Sequence, residues 1–253
     1  MKSILLFAVV VAVAIVGLTR AQERMAGASN TTIDQYPFLA AISYAKSGLV
    51  GCGAILTDRW ILTAASAIIA EPANSYLVRV GTSNFRKGAT RYRVISKISS
   101  YNYNGYDSNL GMVKLIQPLR FGRTIQPIPI ATCWPDTVRV TMVSYGQNER
   151  NPKGGPLQRA DLELTIKPDC YKKLTNKMAQ QAVKSGYSYC VRSADRKPKG
   201  HYLTDAGAPA VVHNRLYGIF SYTEKKGGIA QAAVATRVPD FQTFIQGTID
   251  MDP

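Results

Sequence analysis

Short apolar runs recur along this chain at 40–44, 60–63, 77–80, 92–98, 110–115, 138–143, 162–166, 216–222 and 229–236, with a shorter one at 210–212. Glycine, proline, asparagine and aspartate punctuate them, and runs of strand length between turn signals predict an all-β barrel or sandwich. The stretch 117–135 carries Pro118, Pro127, Pro129 and Pro135. Proline has no N–H to give a central ladder, so this stretch is predicted to connect two halves rather than to pair within one. Phe241, Phe244 and Ile245 recur at helical spacing within 238–247 and predict a terminal helix. No internal repeat and no low-complexity segment breaks the pattern.

One apolar run differs from the rest. Residues 4–18 follow Lys2 and precede Thr19-Arg20-Ala21, the flanks of a secretory leader with a small-residue cleavage site, and the run is too short to cross a bilayer comfortably. The alternative is a buried N-terminal helix. No other run approaches membrane-spanning length, so the expected product is secreted and extracellular, without a membrane span. From Gln22 onward the chain is long enough for one large domain or two small ones sharing a core.

Charge adds a further property. The chain has 31 basic and 16 acidic residues, a net charge of +15; without Lys2 and Arg20 of the leader, 29 basic residues and a net +13 remain. A field of that sign attracts polyanions and is weakened by salt. The basic residues gather in Arg86-Lys87 with Arg91 and Arg93, in Lys172-Lys173 with Lys177 and Lys184, and in Arg192 with Arg196-Lys197-Pro198-Lys199. Two readings are open: solvated faces, or surfaces for polyanions such as sulfated glycans or anionic microbial surfaces. No nucleic-acid module is evident and no aromatic residues interleave the basic ones, so nucleic acid is not an expected partner. Four cysteines in a secreted chain suggest disulfides. His201 and His213 stand alone and no cysteines pair at ligand spacing, so no metal and no cofactor are expected.

Four stretches carry specific chemistry. Cys52-Gly53-Ala54-Ile55-Leu56 is followed by Trp60-Ile61-Leu62-Thr63-Ala64-Ala65-Ser66; then come Asp107-Ser108-Asn109-Leu110-Gly111-Met112-Val113-Lys114-Leu115 and Thr204-Asp205-Ala206-Gly207-Ala208-Pro209, and later Gly218-Ile219-Phe220-Ser221-Tyr222 with Thr236-Arg237-Val238. In order and spacing they resemble the trypsin-like serine protease family over roughly residues 25–247. The resemblance implies two packed six-stranded antiparallel β-barrels with a C-terminal helix. It also implies a signal peptide at 1–21, a propeptide at 22–24, a first barrel over about 25–130 and a second over 131–253. Sparse disulfides and a short propeptide are similar to arthropod rather than vertebrate members.

The same resemblance implies a vacated reaction centre. Ser66, Asn109 and Ala206 stand where the family carries its histidine, aspartate and nucleophilic serine. Alanine has no nucleophilic atom, a serine hydroxyl is no base near neutral pH, and an asparagine has no charge with which to hold an imidazolium. Thr204 takes the place of an oxyanion-hole glycine, Gly200 the specificity position, and Thr223 and Ala233 the places of two glycines that keep the primary pocket open. The Cβ atoms of Thr223 and Ala233 are expected to narrow that pocket, and no catalytic residue is expected. The disulfide implied is Cys170–Cys190. Cys52 is read as keeping its family position with Ala67 in place of its partner, and Cys133 as cross-linked to Cys52, free, or bridged to another chain.

An activation switch is also implied. Arg24-Met25 resembles the cleavage site whose new amine pairs with the aspartate at Asp205; the alternative is that Asp205 is merely inherited. Asn30-Thr31-Thr32 is a glycosylation sequon. What the resemblance implies for function is a secreted homologue acting by binding, as a regulator, cofactor or decoy in an extracellular protease cascade of immune or reproductive secretions. Its partners are then extracellular proteins, active serine proteases or their substrates; the alternative is a cationic binder of polyanionic glycans or microbial surfaces.

Overall fold

Two closed rings of strands carry the chain in a computed structural model that describes residues 28–45, 48–146, 155–195, 205–223 and 232–251. In chain order the strands are β1 (Ser29–Asn30), β2 (Leu39–Tyr44), β3 (Leu49–Ile55), β4 (Trp60–Thr63), β5 (Tyr76–Val80), β6 (Thr90–Ser99) and β7 (Gly111–Leu115), followed by β8 (Thr137–Ser144), β9 (Gln158–Thr165), β10 (Ser188–Ser193), β11 (Pro209–Val212), β12 (Arg215–Thr223) and β13 (Ala233–Arg237). The first barrel closes in the order β2-β3-β4-β7-β6-β5, and the second in the order β8-β9-β10-β13-β12-β11, with β9 returning to β8. Every ladder is antiparallel. The short β1 precedes the first barrel in sequence but pairs with β9 of the second, Ser29 opposite Arg159 and Asn30 opposite Gln158.

Period-two patterning explains which faces go inward. Along β5, Tyr76, Val78 and Val80 are buried and Leu77 and Arg79 are turned outward, as alternation of Cβ directions requires. Strands β3 and β10 escaped the hydropathy pattern because Gly51, Gly53, Ser188 and Arg192 interrupt their apolar residues. Gly53 is needed there, since a Cβ on it would lie 2.7 Å from the Leu62 carbonyl of β4. The proline-bearing connection runs between β7 and β8, and one continuous core spans both barrels.

Two short helices, α1 (Ala65–Ile68) and α2 (Pro168–Tyr171), and two longer ones, α3 (Lys177–Lys184) and α4 (Gln242–Met251), decorate the barrels. The periodic signal found only the last of them. Asn176 caps α3, its Oδ1 accepting from the N–H groups of Met178 at 2.8 Å and Ala179 at 3.2 Å, which satisfies two otherwise orphaned donors. A disulfide joins Cys170 of α2 to Cys190 of β10, across a separation of 20 residues. Leu174, Ala179 and Val183 pack around it in a small satellite core with Val234. Among the described residues no helix is long and apolar enough to cross a membrane.

Candidate functional site

The barrels meet through backbone. Cys52 N–H of β3 donates to the Ala206 carbonyl at 2.8 Å, and Tyr145 Oη of the second barrel donates to the Thr82 carbonyl at 2.8 Å. Gly207, at φ +84, threads this junction: a Cβ on it would fall 2.0 Å from the Cys52 carbonyl oxygen and 2.3 Å from Thr63 Oγ1. Only glycine fits that approach. Ala206 is thereby fixed at the mouth of a cleft of about 270 Å³ between the barrels, lined also by Ser66, Ala67, Asn109, Ser221 and Thr223.

Three of the residues singled out from the sequence, Ser66, Asn109 and Ala206, therefore share one cleft. Ser66 rides on α1, whose own N-cap, Ala64, offers no side-chain acceptor. Asn109 supplies it instead: its Oδ1 accepts from Ser66 N–H at 2.9 Å, while its Nδ2 donates to Ser66 Oγ at 3.0 Å and to Ser221 Oγ at 2.9 Å. The Asn109 carbonyl in turn accepts from Thr236 Oγ1 at 3.1 Å. Ser108, held at φ +53, kinks the chain just before Asn109 and turns it toward the cleft. At the other end of α1, Lys97 Nζ donates to the carbonyls of Ile68 and Ile69, placing a cation where the last carbonyls of a helix want one.

A fourth hydroxyl completes the arrangement. Burial pushes the Tyr103 phenol up from its ordinary value, and a hydrogen bond with Ser66 pulls partly against that shift. Tyr103, Ser66, Asn109 and Ser221 thus form a connected set of neutral polar groups. Above them Tyr106 packs edge-on against Tyr222, ring centres 5.0 Å apart, and its hydroxyl accepts from Asn176 Nδ2 at 3.0 Å. Asp107 Oδ2 accepts from Ser185 Oγ at 2.8 Å. The loop over the cleft is tied to the second barrel through α3. Lys97 lay within the run 92–98 and Tyr103 outside any motif or run, and no sequence signal marked either for this cleft.

Asp205 lies fully buried beneath Ala206, where Ser144 Oγ donates to its carboxylate and also approaches Cys52 Sγ at 3.4 Å. Burial pushes the Cys52 thiol up to about 12; hydrogen bonding to Ser144 and to the Tyr145 backbone opposes this, and the Asp205 charge adds to it. The cysteine reading needs correction here. A Cβ on Gly51 would sit 3.0 Å from Ala67 Cβ, so the position facing Ala67 is Gly51, and Cys52, one residue on, faces the opposite side of the strand toward Ser144. A shift of one residue along a strand exchanges its faces, and both ends of that cross-link are absent. Cys52 and Cys133 are unbonded, the first buried and the second exposed, with Cys133 Sγ 3.9 Å from Tyr217 Oη.

Thr223 and Ala233 are both buried and pair directly across β12 and β13. Asn30 is exposed on β1, its Oδ1 accepting from Gln158 Nε2 at 3.3 Å. Thr204, Gly200, Arg24, Met25 and His201, the leader 4–18 and the basic run 196–199 lie outside the described residues. His213 is exposed at the two-residue turn between β11 and β12, with φ +45 there and +57 at Asn214, the left-handed pair that such hairpin turns require. It lines a separate hollow with Arg139, Asp161 and Asp195. Arg192 is not the free cation its cluster suggested: it pairs with Glu163 and Asp169, each at 2.5 Å. Among the described residues no group of three or more His, Cys, Asp or Glu could hold a metal ion.

Comparison with known proteins places this geometry. The Trypsin family model matches residues 25–245. Trypsin beta of Drosophila erecta is 30% identical over 217 residues, covering 81% of this chain and 80% of its own. The serine protease SP24D of Anopheles gambiae is 27% identical, over 89% of this chain and 81% of its own. Among solved structures, the inactivated protease paralogue S-D1 of the scabies mite superposes with a TM-score of 0.77 at 19% identity, covering 88% of this chain and 97% of its own. Mouse neuropsin, a serine protease, superposes with a TM-score of 0.73 at 20% identity, covering 88% and 99%. At those identities the structural likeness speaks for the fold.

Proposed function

The chain belongs to the trypsin family of serine proteases, and on that premise we propose that it is a non-catalytic, secreted member that acts by binding. One observation supports the reading: at the positions where the resemblance puts the triad, Asn109 bonds to Ser66 and to Ser221, Ser66 bonds to Tyr103, and Ala206 lies beside them in the same cleft. Acyl transfer needs a nucleophile, a base to take its proton and a group to orient the base. Ala206 supplies no nucleophile. Among the described residues neither Ser66 nor Ser221 has an imidazole as a hydrogen-bond partner, and the Asn109 amide is committed on both its atoms. Without a triad, only roughly 10³ to 10⁴ over water is left to such a fold, from the oxyanion hole and binding.

The relatives named as trypsins support reading the change as a loss within a proteolytic family, and the scabies mite protein, described as an inactivated paralogue, has a similar fold. In this reading the cleft, lined by Tyr222 and Thr223, serves recognition. The product is a regulator, cofactor or decoy for an active extracellular protease or its substrate, in an immune or reproductive secretion. Cleavage after Arg24 would deliver the Met25 amine to Asp205, whose complete burial gives such an amine a partner worth several kcal/mol if either is stranded. A mature chain beginning at Gln22 would end that part of the reading.

The test is direct. Protein expressed with and without cleavage after Arg24 is treated with a fluorophosphonate probe and a mixed peptide library. No labelling and no turnover above the blank are expected in either form. Stoichiometric labelling, or ordinary turnover of any peptide, overturns the proposal.

A further inference from the structure

A second candidate site lies on the outside of the first barrel, away from the cleft, and it does not depend on the reading of that cleft. In the ladder between β5 and β6, Arg79 stands directly opposite Arg91, and Leu77 opposite Arg93. Residues paired this way share a face, with Cβ atoms about 5 Å apart, and residues two apart on one strand share that face at about 6.6 Å. Three guanidinium groups therefore rise from one patch of barrel exterior. Like charges placed directly opposite each other weaken a sheet, so the arrangement is one the fold alone does not favour. Burial, and after it the neighbouring Arg91 charge, lower the proton affinity of Arg79.

Three arginines outside this ladder are neutralised by carboxylates. Arg123 pairs with Asp34, Arg192 with Glu163 and Asp169, and Arg237 with Asp240. Among the described residues no carboxylate forms an ion pair with Arg79, Arg91 or Arg93. Arg79 is nonetheless held in place, its Nε donating to Ser43 Oγ at 3.3 Å and its guanidinium lying 4.7 Å from the Phe85 ring centre. Arg91 and Arg93 are exposed, as is Lys87 on the turn between the two strands. We propose that Arg79, Arg91 and Arg93 form a binding site for a sulfated glycan. Guanidinium groups bind oxyanions through two parallel N–H bonds, and strands of a closed barrel hold the three at fixed spacing before any ligand arrives. A linear sulfated chain needs only that spacing on a convex face. A protein partner would also cover Ile95, the next outward residue of β6, which is 59% exposed.

The probe is heparin, measured by calorimetry across a range of salt concentrations, with fully desulfated heparin of the same length as its control. Arg91→Ser/Arg93→Ser is compared with Lys172→Ser/Lys173→Ser, which removes the same charge from exposed positions on the second barrel. The expected result is a loss of about tenfold in affinity near physiological salt for the arginine pair, with the log–log salt slope shallower by about 1.5. The lysine pair and Ile95→Ser should change affinity by less than about threefold, and desulfated heparin should not bind. Equal losses in the two double variants would reduce the effect to diffuse charge and overturn the site. A loss in Ile95→Ser, or unchanged binding of desulfated heparin, would overturn the sulfated glycan as its ligand. Thermal midpoints confirm that each variant is folded.

Discussion

Replacing Asn109 with alanine tests how the cleft around Ser66 is held together. Asn109 is 1% exposed and makes hydrogen bonds through both ends of its amide. Its Oδ1 caps α1 through Ser66 N–H, because Ala64 cannot, and losing a cap of this kind costs about 1 kcal/mol. Its Nδ2 bonds to Ser66 and Ser221, and losing a buried pair costs about 1 kcal/mol more, with a further contribution from polar atoms left unsatisfied. The expected loss is about 2–4 kcal/mol, which for a chain of this size lowers the thermal midpoint by roughly 5–15 °C. Ser221→Ala removes one of these bonds and should cost only about 1 kcal/mol. Urea unfolding of both variants and the double mutant gives the coupling energy directly. A loss below about 1 kcal/mol for Asn109→Ala, or equal losses for the two single variants, would refute the claim that the amide knits the centre.

Three further outcomes follow from the same geometry. Gly207→Ala places a methyl group against the Cys52 carbonyl and should cost on the order of 4 kcal/mol in urea unfolding, an unusually large value for adding one carbon; a neutral result would show that the inter-barrel junction yields. Cys170→Ser/Cys190→Ser should lower unfolding free energy by about 3 kcal/mol, from the 20-residue separation it leaves unclosed. A thiol reagent applied to native protein near about pH 8 should modify exposed Cys133 and reach buried Cys52 only on unfolding. The sign for pH follows: the folded Cys52 value, near 12, lies above that of the unfolded chain. Its contribution is complete below the ordinary thiol range and declines as pH rises from there toward about 12, and Cys52→Ala should flatten that decline in alkaline unfolding curves.

Particular residues show how far the chain could be read before its fold was known. Asn109, Ser66 and Ala206 were legible because each sits inside a local motif whose order survives, and apolar runs bounded by turn residues marked most strands of both barrels. Cys52 was misplaced by a single residue, since a linear string does not record which face of β3 a side chain takes. Arg192 looked like part of a free basic cluster until Glu163 and Asp169, distant along the chain, arrived beside it.

What the sequence determined by itself was short-range in origin: strand lengths, the prolines of the connection, the glycine at Gly207, and the residue types Ser66, Asn109 and Ala206 at three motif positions. Only the tertiary structure decided that Tyr103 and Ser221 close a neutral network around Asn109, that Ser144 meets Asp205, and that Arg79 faces Arg91 without an acid between them. Those pairings join residues from 12 to more than 100 positions apart. Barrel closure and strand register bring them together, and each depends on the whole hydrogen-bonded ring rather than on any local segment.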